Sequence, residues 1–415
     1  MMNEPSVSID GLGPLPRRRP DNVAELGEVV REASRQELAL YPVGGETMLG
    51  LGNSPARPGV AVDVTALESV IDYPARDMTI TVQAGMRLAR LQELLAPENQ
   101  QLPVDVPRPE RATLGGAIAC NVSGPRRFGY GTLRDYVLGI HVVNDEGAEF
   151  KAGGRVVKNV AGYDLCKLLV GSLGTLGIIT QVTLKLRPLP DEQALVALAC
   201  PDDGLAAALE LLHGTQTRPM CLDVLNRRGA ALVEESSSVP LREAPWTIVI
   251  GYEGNQDTVR WQVRQLILEL RGRYPIDSWL GRLTRPLWQA LAAFQAHNAG
   301  DDWLTFKANV RPAQAAAFCR RAAAVGADMA IQCHAGNGIV RGHLLAPLGQ
   351  ARDALTALRA GAQDGKVIVQ SCPTAWKETI AVWGEPGPDA WLMRRVKEQF
   401  DPRRLFNPGR FVGGI

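Results

Sequence analysis

The sequence predicts an α+β fold in two parts, and three observations lead there. Strand and helix patterns alternate along most of the 415 residues. Glycine is dense between 44 and 177, much of it falling just before or after a strand. Beyond Pro190 the texture changes to strand–helix–strand units in series, the pattern of an antiparallel sheet with helices on one side.

Residues 1–20 are punctuated by proline and glycine and read as a flexible leader, in which the basic cluster at 17–19 would be solvated. Strand patterns follow at LALYPV (38–43), VAVDV (60–64) and MTITVQAG (78–85), then a helix over MRLARLQELLA. DYVLGIHVVNDEG (135–147) reads as a strand closed by an Asp-Glu-Gly turn. GIITQVTLKLRPLP (177–190) reads as a long strand stopped by two prolines. In the second part, NQDTVRWQVRQLILELRGR places Val259, Val263, Leu266, Ile267 and Leu270 on one helical face. Boundaries are expected near 190 and 385. That gives a first domain over 21–190, a second over 191–385, and a C-terminal helix and tail, 386–415, that returns to the first.

A hydrophobic fraction of 46% against 21% charged residues suits a chain that buries a core. The net charge of +1 leaves no field to recruit nucleic acid or an anionic membrane. Seven cysteines are scattered and never spaced C-x-x-C. They support neither an iron–sulfur nor a four-thiolate zinc site, and fit a reducing, cytoplasmic compartment. No stretch approaches the ~20 apolar residues of a membrane span.

YPVGGETMLGLGN (41–53) is a short apolar strand running into a turn with Gly44, Gly45, Gly50 and Gly52. Bare amides after a strand suit an anion, because unpaired N–H groups can converge on phosphate oxygens. Neither GxGxxG nor GxxxxGK[ST] follows, so no Rossmann or P-loop reading is supported. Two more glycine-rich stretches accompany it: RATLGGAIACNVSGPRRFGYGTLRDYVLG (111–139) and VVKNVAGYDLCKLLVGSLGTLGIITQVTLKL (156–186), the latter with Asn159 and Gly162. Three such loops separated by strands could wrap one long ligand bearing a pyrophosphate and flat rings.

These stretches resemble the FAD-binding domain of the vanillyl-alcohol oxidase / p-cresol methylhydroxylase (PCMH) superfamily over about residues 35–190. More narrowly they resemble the FAD-binding subunits of bacterial glycolate oxidases, to which the ending FDPRRLFNPGRF adds. The resemblance implies a PCMH-type two-lobed FAD-binding domain and an α/β cap. It implies FAD held by Val43, Gly44, Gly45, Glu46, Thr47, Met48 and Gly50, with the amides at 44–48 on the pyrophosphate. Thr113, Gly115, Gly116, Asn121, Ser123 and Gly124 would surround the ribityl chain and isoalloxazine, with Tyr130 and Gly131 close by. Gly174, Gly177 and Ile178 would lie along the cofactor. Some relatives attach flavin covalently through a loop histidine. None of the five histidines (141, 213, 297, 334 and 343) lies at 41–53 or 111–131, so FAD is expected to be non-covalent. His141, inside a strand pattern, reads as a satisfied core imidazole.

HAGNGIVR (334–341) reads as a turn between two strands, and resembles the HxGDGNxH loop of FAD-dependent D-2-hydroxy-acid dehydrogenases, in which two histidines would bind a divalent metal. His334, Gly336 and Gly338 match; Asn337 replaces the acid, Ile339 the Asn and Arg341 the second His. A guanidinium offers no lone pair and repels a cation, so no metal is expected. His343 would substitute only in a reshaped loop. His334 and Arg341 are the candidate catalytic residues: His334 as acid or base, Arg341 as a two-pronged carboxylate anchor. An ion-paired strand arginine is the plainer alternative. Leu173 and Gln181 stand where catalytic relatives carry Glu.

The resemblance implies an enzyme that oxidises glycolate (or D-lactate) to the 2-oxo acid within a multi-subunit oxidase. A sister FAD subunit would carry the metal-type site. An iron–sulfur subunit would pass electrons to membrane quinones, holding the complex against the inner face of the cytoplasmic membrane. Two alternatives stand beside it: a self-sufficient FAD-dependent D-2-hydroxy-acid dehydrogenase, and a scaffold subunit that kept the fold without catalysis. The intact glycine loops argue against the scaffold. SCPTAWKETIAVWGEPGPDAW (371–391) gathers three tryptophans near Lys377, as core or as a partner surface.

Overall fold

The computed structural model describes residues 6–155, 163–297 and 302–415, so Asn159 and Gly162 lie outside the described residues. The chain forms two compact units. The first comprises Met1–Val122, Thr132–Pro188 and Lys377–Ile415; the second comprises Ser123–Gly131 and Leu189–Trp376.

The first unit holds two main sheets. In one, the strands Ser6–Ile9, Leu12–Arg18, Gly59–Asp63 and Ala39–Val43 lie in that order, the first pair antiparallel and the others parallel. The helix Val23–Arg35 starts where the Asn22 side chain accepts from the Glu25 amide. Its Leu26, Val30 and Ala33 are buried with Leu40, Val62 and Phe406. The other sheet is antiparallel, in the order Val70–Asp72, Thr79–Gln83, Ile178–Lys185, Val137–Val143 and Glu149–Gly153.

Four readings change here. Residues 6–18 are not a loose leader but two strands, whose Val7, Ile9 and Leu15 pack with Tyr41 and Ala61. Arg17, expected to be solvated, is ion-paired with Glu46 at 2.9 Å and Asp63 at 2.8 Å. The first unit resumes at Lys377 rather than at 386. His141 is half-buried with Nδ1 3.4 Å from Glu149, not enclosed in the core.

The C-terminal return is fastened by Lys397. Its buried ammonium donates to Asp401 at 2.5 Å, to the Thr175 carbonyl at 2.7 Å and to the Phe406 carbonyl at 3.0 Å.

The second unit is built on one eight-stranded sheet. Its order is Ile276–Leu280, Glu192–Cys200, Trp246–Gly254, Cys221–Asn226, Met329–His334, Ile339–Leu345, Trp303–Asn309 and Lys366–Ser371, all neighbours antiparallel. The helix Ala315–Ala323 packs on the strand Met329–His334 with Cys319 beside Cys333, which places that helix on one face. The opposite face, carrying Leu195, Cys221, Leu225 and Ala330, is covered by the helices Arg227–Ser237 and Arg285–Ala293. Helices therefore lie on both sides, where one side was expected. The central strand Trp246–Gly254 explains this: all but its last residue are buried, so neither face is solvated.

Candidate functional site

A cavity partly open to solvent lies in the first unit. Val43, Gly44, Gly45, Glu46, Thr47 and Met48 line one side of it. Thr113, Gly115 and Gly116 contribute from the start of the helix Leu114–Cys120, and Gly174, Gly177 and Ile178 from the third glycine stretch. Twelve of the residues expected to hold a cofactor thus meet around one cavity.

The bareness of the first loop has two causes. A Cβ on Gly45 would sit 1.7 Å from the Arg111 carbonyl oxygen, and one on Gly44 2.2 Å from Thr113 Oγ1. Those glycines let two loops touch. Gly116 differs: a Cβ there would meet only Thr113 Oγ1, at 3.1 Å, and otherwise stand in open space at the cavity wall. Not every expected amide is available. Gly115 N–H is spent on the Ala84 carbonyl (2.7 Å) and Gly116 N–H on Thr113 Oγ1 (3.3 Å). The amides of Gly45, Glu46, Thr47 and Met48 make no hydrogen bond among the described residues.

Immediately after these four amides, five successive carbonyls are captured by buried cations. Arg410 donates to Leu49, to Leu51 at 2.7 Å and to Asn53 at 2.9 Å. Lys377 donates to Gly50 and Gly52, both at 2.7 Å. Asp10 sits between the two cations, accepting from Arg410 at 2.9 Å and from Lys377. Burial lowers the Arg410 pKa, and Asp10 opposes the shift. The loop is thereby fixed with its carbonyls turned to the cations and the preceding amides left unpaired. Neither cation was identifiable from sequence as a site residue.

This cavity fits FAD. Free amides suit the pyrophosphate, and Val106, Val122, Leu173 and Ile179 supply apolar wall for flat rings. No histidine lines it. Burial pushes the Cys120 thiol at its edge up to about 12, so it carries no thiolate at neutral pH.

The other expected contacts are not among the residues that line it. Gly50 turns its carbonyl to Lys377 and does not line the cavity. Asn121, in a left-handed conformation (φ 49°), closes the helix Leu114–Cys120, with its Oδ1 buried and unpartnered. Ser123, Gly124, Tyr130 and Gly131 belong to the second unit. There the Ser123 carbonyl accepts from Arg341 Nη2 (2.9 Å) and Gln295 Nε2 (3.1 Å), while the Gly124 carbonyl accepts from Arg127 N–H at 3.1 Å.

The second unit carries a polar cluster on one sheet face. His334, at the end of its strand, is buried with Nδ1 2.7 Å from Asp223 Oδ1. A carboxylate accepts, so Nδ1 carries a proton, and in the neutral imidazole Nε2 keeps its lone pair. Nε2 is buried without a partner among the described residues. Gln332 Nε2 donates to the other Asp223 oxygen at 2.8 Å, holding the pair in place. Arg341 is buried as well. Its Nη1 donates to Gln370 at 2.9 Å and its Nη2 to Ser123, so both tips of the fork already have protein acceptors and Nε has none. Burial lowers its pKa to about 10, with Arg127 adding to the shift.

Directly across the strand pair from Arg341 stands Lys307, which sequence reasoning missed. Its ammonium makes no hydrogen bond or ion pair among the described residues. Burial first, then Arg341 and Arg127, lower its pKa to about 7. His343 is a satisfied core imidazole, bonded to Thr305 Oγ1 (3.1 Å) and the Phe294 carbonyl (2.7 Å), and burial lowers its pKa to about 3. Among the described residues no three His, Cys, Asp or Glu side chains cluster as metal ligands would. No helix among them is long and apolar enough to cross a membrane.

Two family models match the chain: an FAD binding domain over residues 14–153, and the C-terminal domain of FAD linked oxidases over 189–362 and 385–411. The D-2-hydroxyglutarate dehydrogenase of Xanthomonas citri pv. viticola is 26% identical, aligning 96% of this chain with 89% of its own length. Glycolate oxidase subunit GlcE of Escherichia coli is 36% identical over 42% of this chain and 49% of its own. Among solved structures, 4-ethylphenol oxidase from Gulosibacter chungangensis superposes with a TM-score of 0.72 at 15% identity, covering 95% of this chain and 88% of that one. That likeness shows the fold, a two-domain PCMH-type architecture.

Proposed function

We propose that this chain, an FAD-dependent oxidoreductase built from an FAD binding domain and an FAD linked oxidase C-terminal domain, oxidises a small 2-hydroxy acid to the 2-oxo acid. We place it as the flavin-bearing subunit of a glycolate-oxidase-type complex, with a sister FAD subunit and an iron–sulfur subunit as partners. The observation that carries the chemistry is the Asp223–His334 pair with its unpartnered Nε2.

Bound FAD supplies the two-electron acceptor for the hydride leaving the substrate carbon. The unpaired amides at 45–48 bind its pyrophosphate, and the cations behind them keep the loop in that shape. His334 accepts the hydroxyl proton at Nε2. Asp223 fixes the tautomer and stabilises the imidazolium that forms. Arg341 supplies positive charge for the substrate carboxylate, as a fixed field rather than a two-pronged clamp, since Gln370 and Ser123 occupy its tips.

The subunit reading is supported by the resemblance to the E. coli glycolate oxidase subunit. A second reading, a self-sufficient D-2-hydroxy-acid dehydrogenase, is favoured by the near-full-length alignment with a protein named a dehydrogenase. Anaerobic addition of glycolate, D-lactate or D-2-hydroxyglutarate to the purified chain, alone and with co-expressed partners, separates them. Bleaching of the flavin only with partners supports the subunit, and fast bleaching of the chain alone the dehydrogenase. No bleaching by any 2-hydroxy acid in either preparation refutes both. Acid precipitation should release all the flavin; colour retained on the polypeptide would refute non-covalent binding.

A further inference from the structure

We propose that Lys307 forms an imine with 2-oxo acids, with Arg341 and Arg127 drawing the carboxylate beside its amine. The strand Trp303–Asn309 pairs with Ile339–Leu345 so that Lys307 faces Arg341 directly. On its other side the opposed residue is Ile368, which brings no charge. Among the described residues Arg127, in the short helix Arg127–Tyr130, is the other charged group acting on it. Among the described residues Lys307 thus has two cationic neighbours and no carboxylate partner.

This environment makes an ammonium costly and an anion welcome. The pKa near 7 leaves about half of the Lys307 side chains as neutral amine at pH 7. An ordinary lysine is neutral in roughly one molecule in 2,500 at that pH. Only the neutral amine attacks a carbonyl. A 2-oxo acid brings both features the cluster selects: a carboxylate for the guanidiniums and an adjacent ketone or aldehyde carbon for the amine. The amine nitrogen adds to that carbon and a C=N bond forms. The two amine hydrogens leave with the carbonyl oxygen as one water, so no oxidant or reductant is consumed.

The site goes beyond the oxidation proposed above and stands independently of it, because imine formation needs no flavin turnover. A chain that oxidised no 2-hydroxy acid would still be labelled.

The test is reductive trapping on the full-length holoprotein. Pyruvate or glyoxylate is added with cyanoborohydride at pH 7, and the modified lysines are located by peptide mass spectrometry. Lys307 should be modified at least about tenfold faster than the exposed Lys151, Lys167 and Lys366. Its modification should rise with pH to half-maximum near pH 7. Acetaldehyde, which lacks the carboxylate, should lose that selectivity. Lys307→Arg should abolish selective labelling while keeping wild-type flavin content, which shows that the variant folds. Labelling in proportion to surface exposure, an unlabelled Lys307, or equal selectivity for acetaldehyde would overturn the proposal.

Discussion

Replacing Lys377 with Met should destabilise the chain without FAD and weaken FAD binding together. The ammonium is the hydrogen-bond donor to the Gly50 and Gly52 carbonyls and to Asp10. Two partly buried carbonyls left without partners cost up to ~1–3 kcal/mol each, or roughly 2–6 kcal/mol in all. Part of that is offset, because a buried ammonium is no longer taken out of water. Asp10 keeps Arg410, so its charge stays paired. The net loss should be about 3 kcal/mol in the urea unfolding of FAD-free protein. If half of that reappears as the cost of ordering the loop around the pyrophosphate, the FAD dissociation constant rises about tenfold. Flavin fluorescence titration reads the second number. Adding Asp10→Asn to Lys377→Met should cost less than the two single changes summed, since the residues share one contact. A Lys377→Met protein with a wild-type unfolding midpoint and a dissociation constant within twofold of wild type would refute this account of the loop.

Gly116→Val should leave the FAD-free fold near wild-type stability yet abolish FAD binding, because its side chain would stand in the cavity. Gly45→Ala, whose Cβ would collide with the Arg111 carbonyl, should instead cripple expression and melting temperature. Asp223→Asn replaces a carboxylate that accepts on both oxygens, from His334 and Gln332, with a neutral amide that can accept on only one, so kcat on the cognate 2-hydroxy acid should fall ~10²–10⁴-fold with flavin content unchanged. The folded pKa of Lys307 lies near 7 against 10.5 for an unperturbed lysine. Between those values the unfolded chain binds the extra proton, and stability rises with pH. Lys307→Met should therefore be more stable than wild type below pH 7, and that advantage should shrink to nothing by pH 10.5. Urea titrations across that range decide it.

The elements most legible in the sequence were those whose pattern is local. GIITQVTLKLRPLP was readable as a strand because its apolar run ends in prolines, and Ile178–Lys185 is that strand. The N-terminal strands were hidden because LGPLPRR shows only one buried residue, Leu15, and its partners at 59–63 are distant in sequence. The glycine loops were visible for a reason only partly the right one. Bare main chain was read as an anion cradle, yet Gly44 and Gly45 are required by contact with Arg111 and Thr113, and the cradle is the four amides that follow. The cations that shape it could not be read at all. Asp10 and Lys377 are 367 residues apart, Asp10 and Arg410 400 apart, and no local pattern records that distance. Lys307 was invisible for a related reason: its chemistry comes from Arg341 and Arg127, which only the strand register and the fold bring near.

A buried ion pair is by itself weak grounds for stability, because apolar residues of similar volume often serve as well. The Asp10, Lys377 and Arg410 group differs in what its cations hold. They satisfy five backbone carbonyls that an apolar replacement would orphan, so the cost of losing each cation should follow the number of carbonyls it serves. Arg410 serves three and Lys377 two. Arg410→Met should therefore destabilise the FAD-free chain more than Lys377→Met, by roughly 1–3 kcal/mol for the additional carbonyl. FAD-free protein is the proper readout, because Arg410 also lines the cavity and would alter binding directly. Equal losses, or a larger loss for Lys377→Met, would mean that the charges stabilise through Asp10 alone and that the loop's carbonyls find water instead.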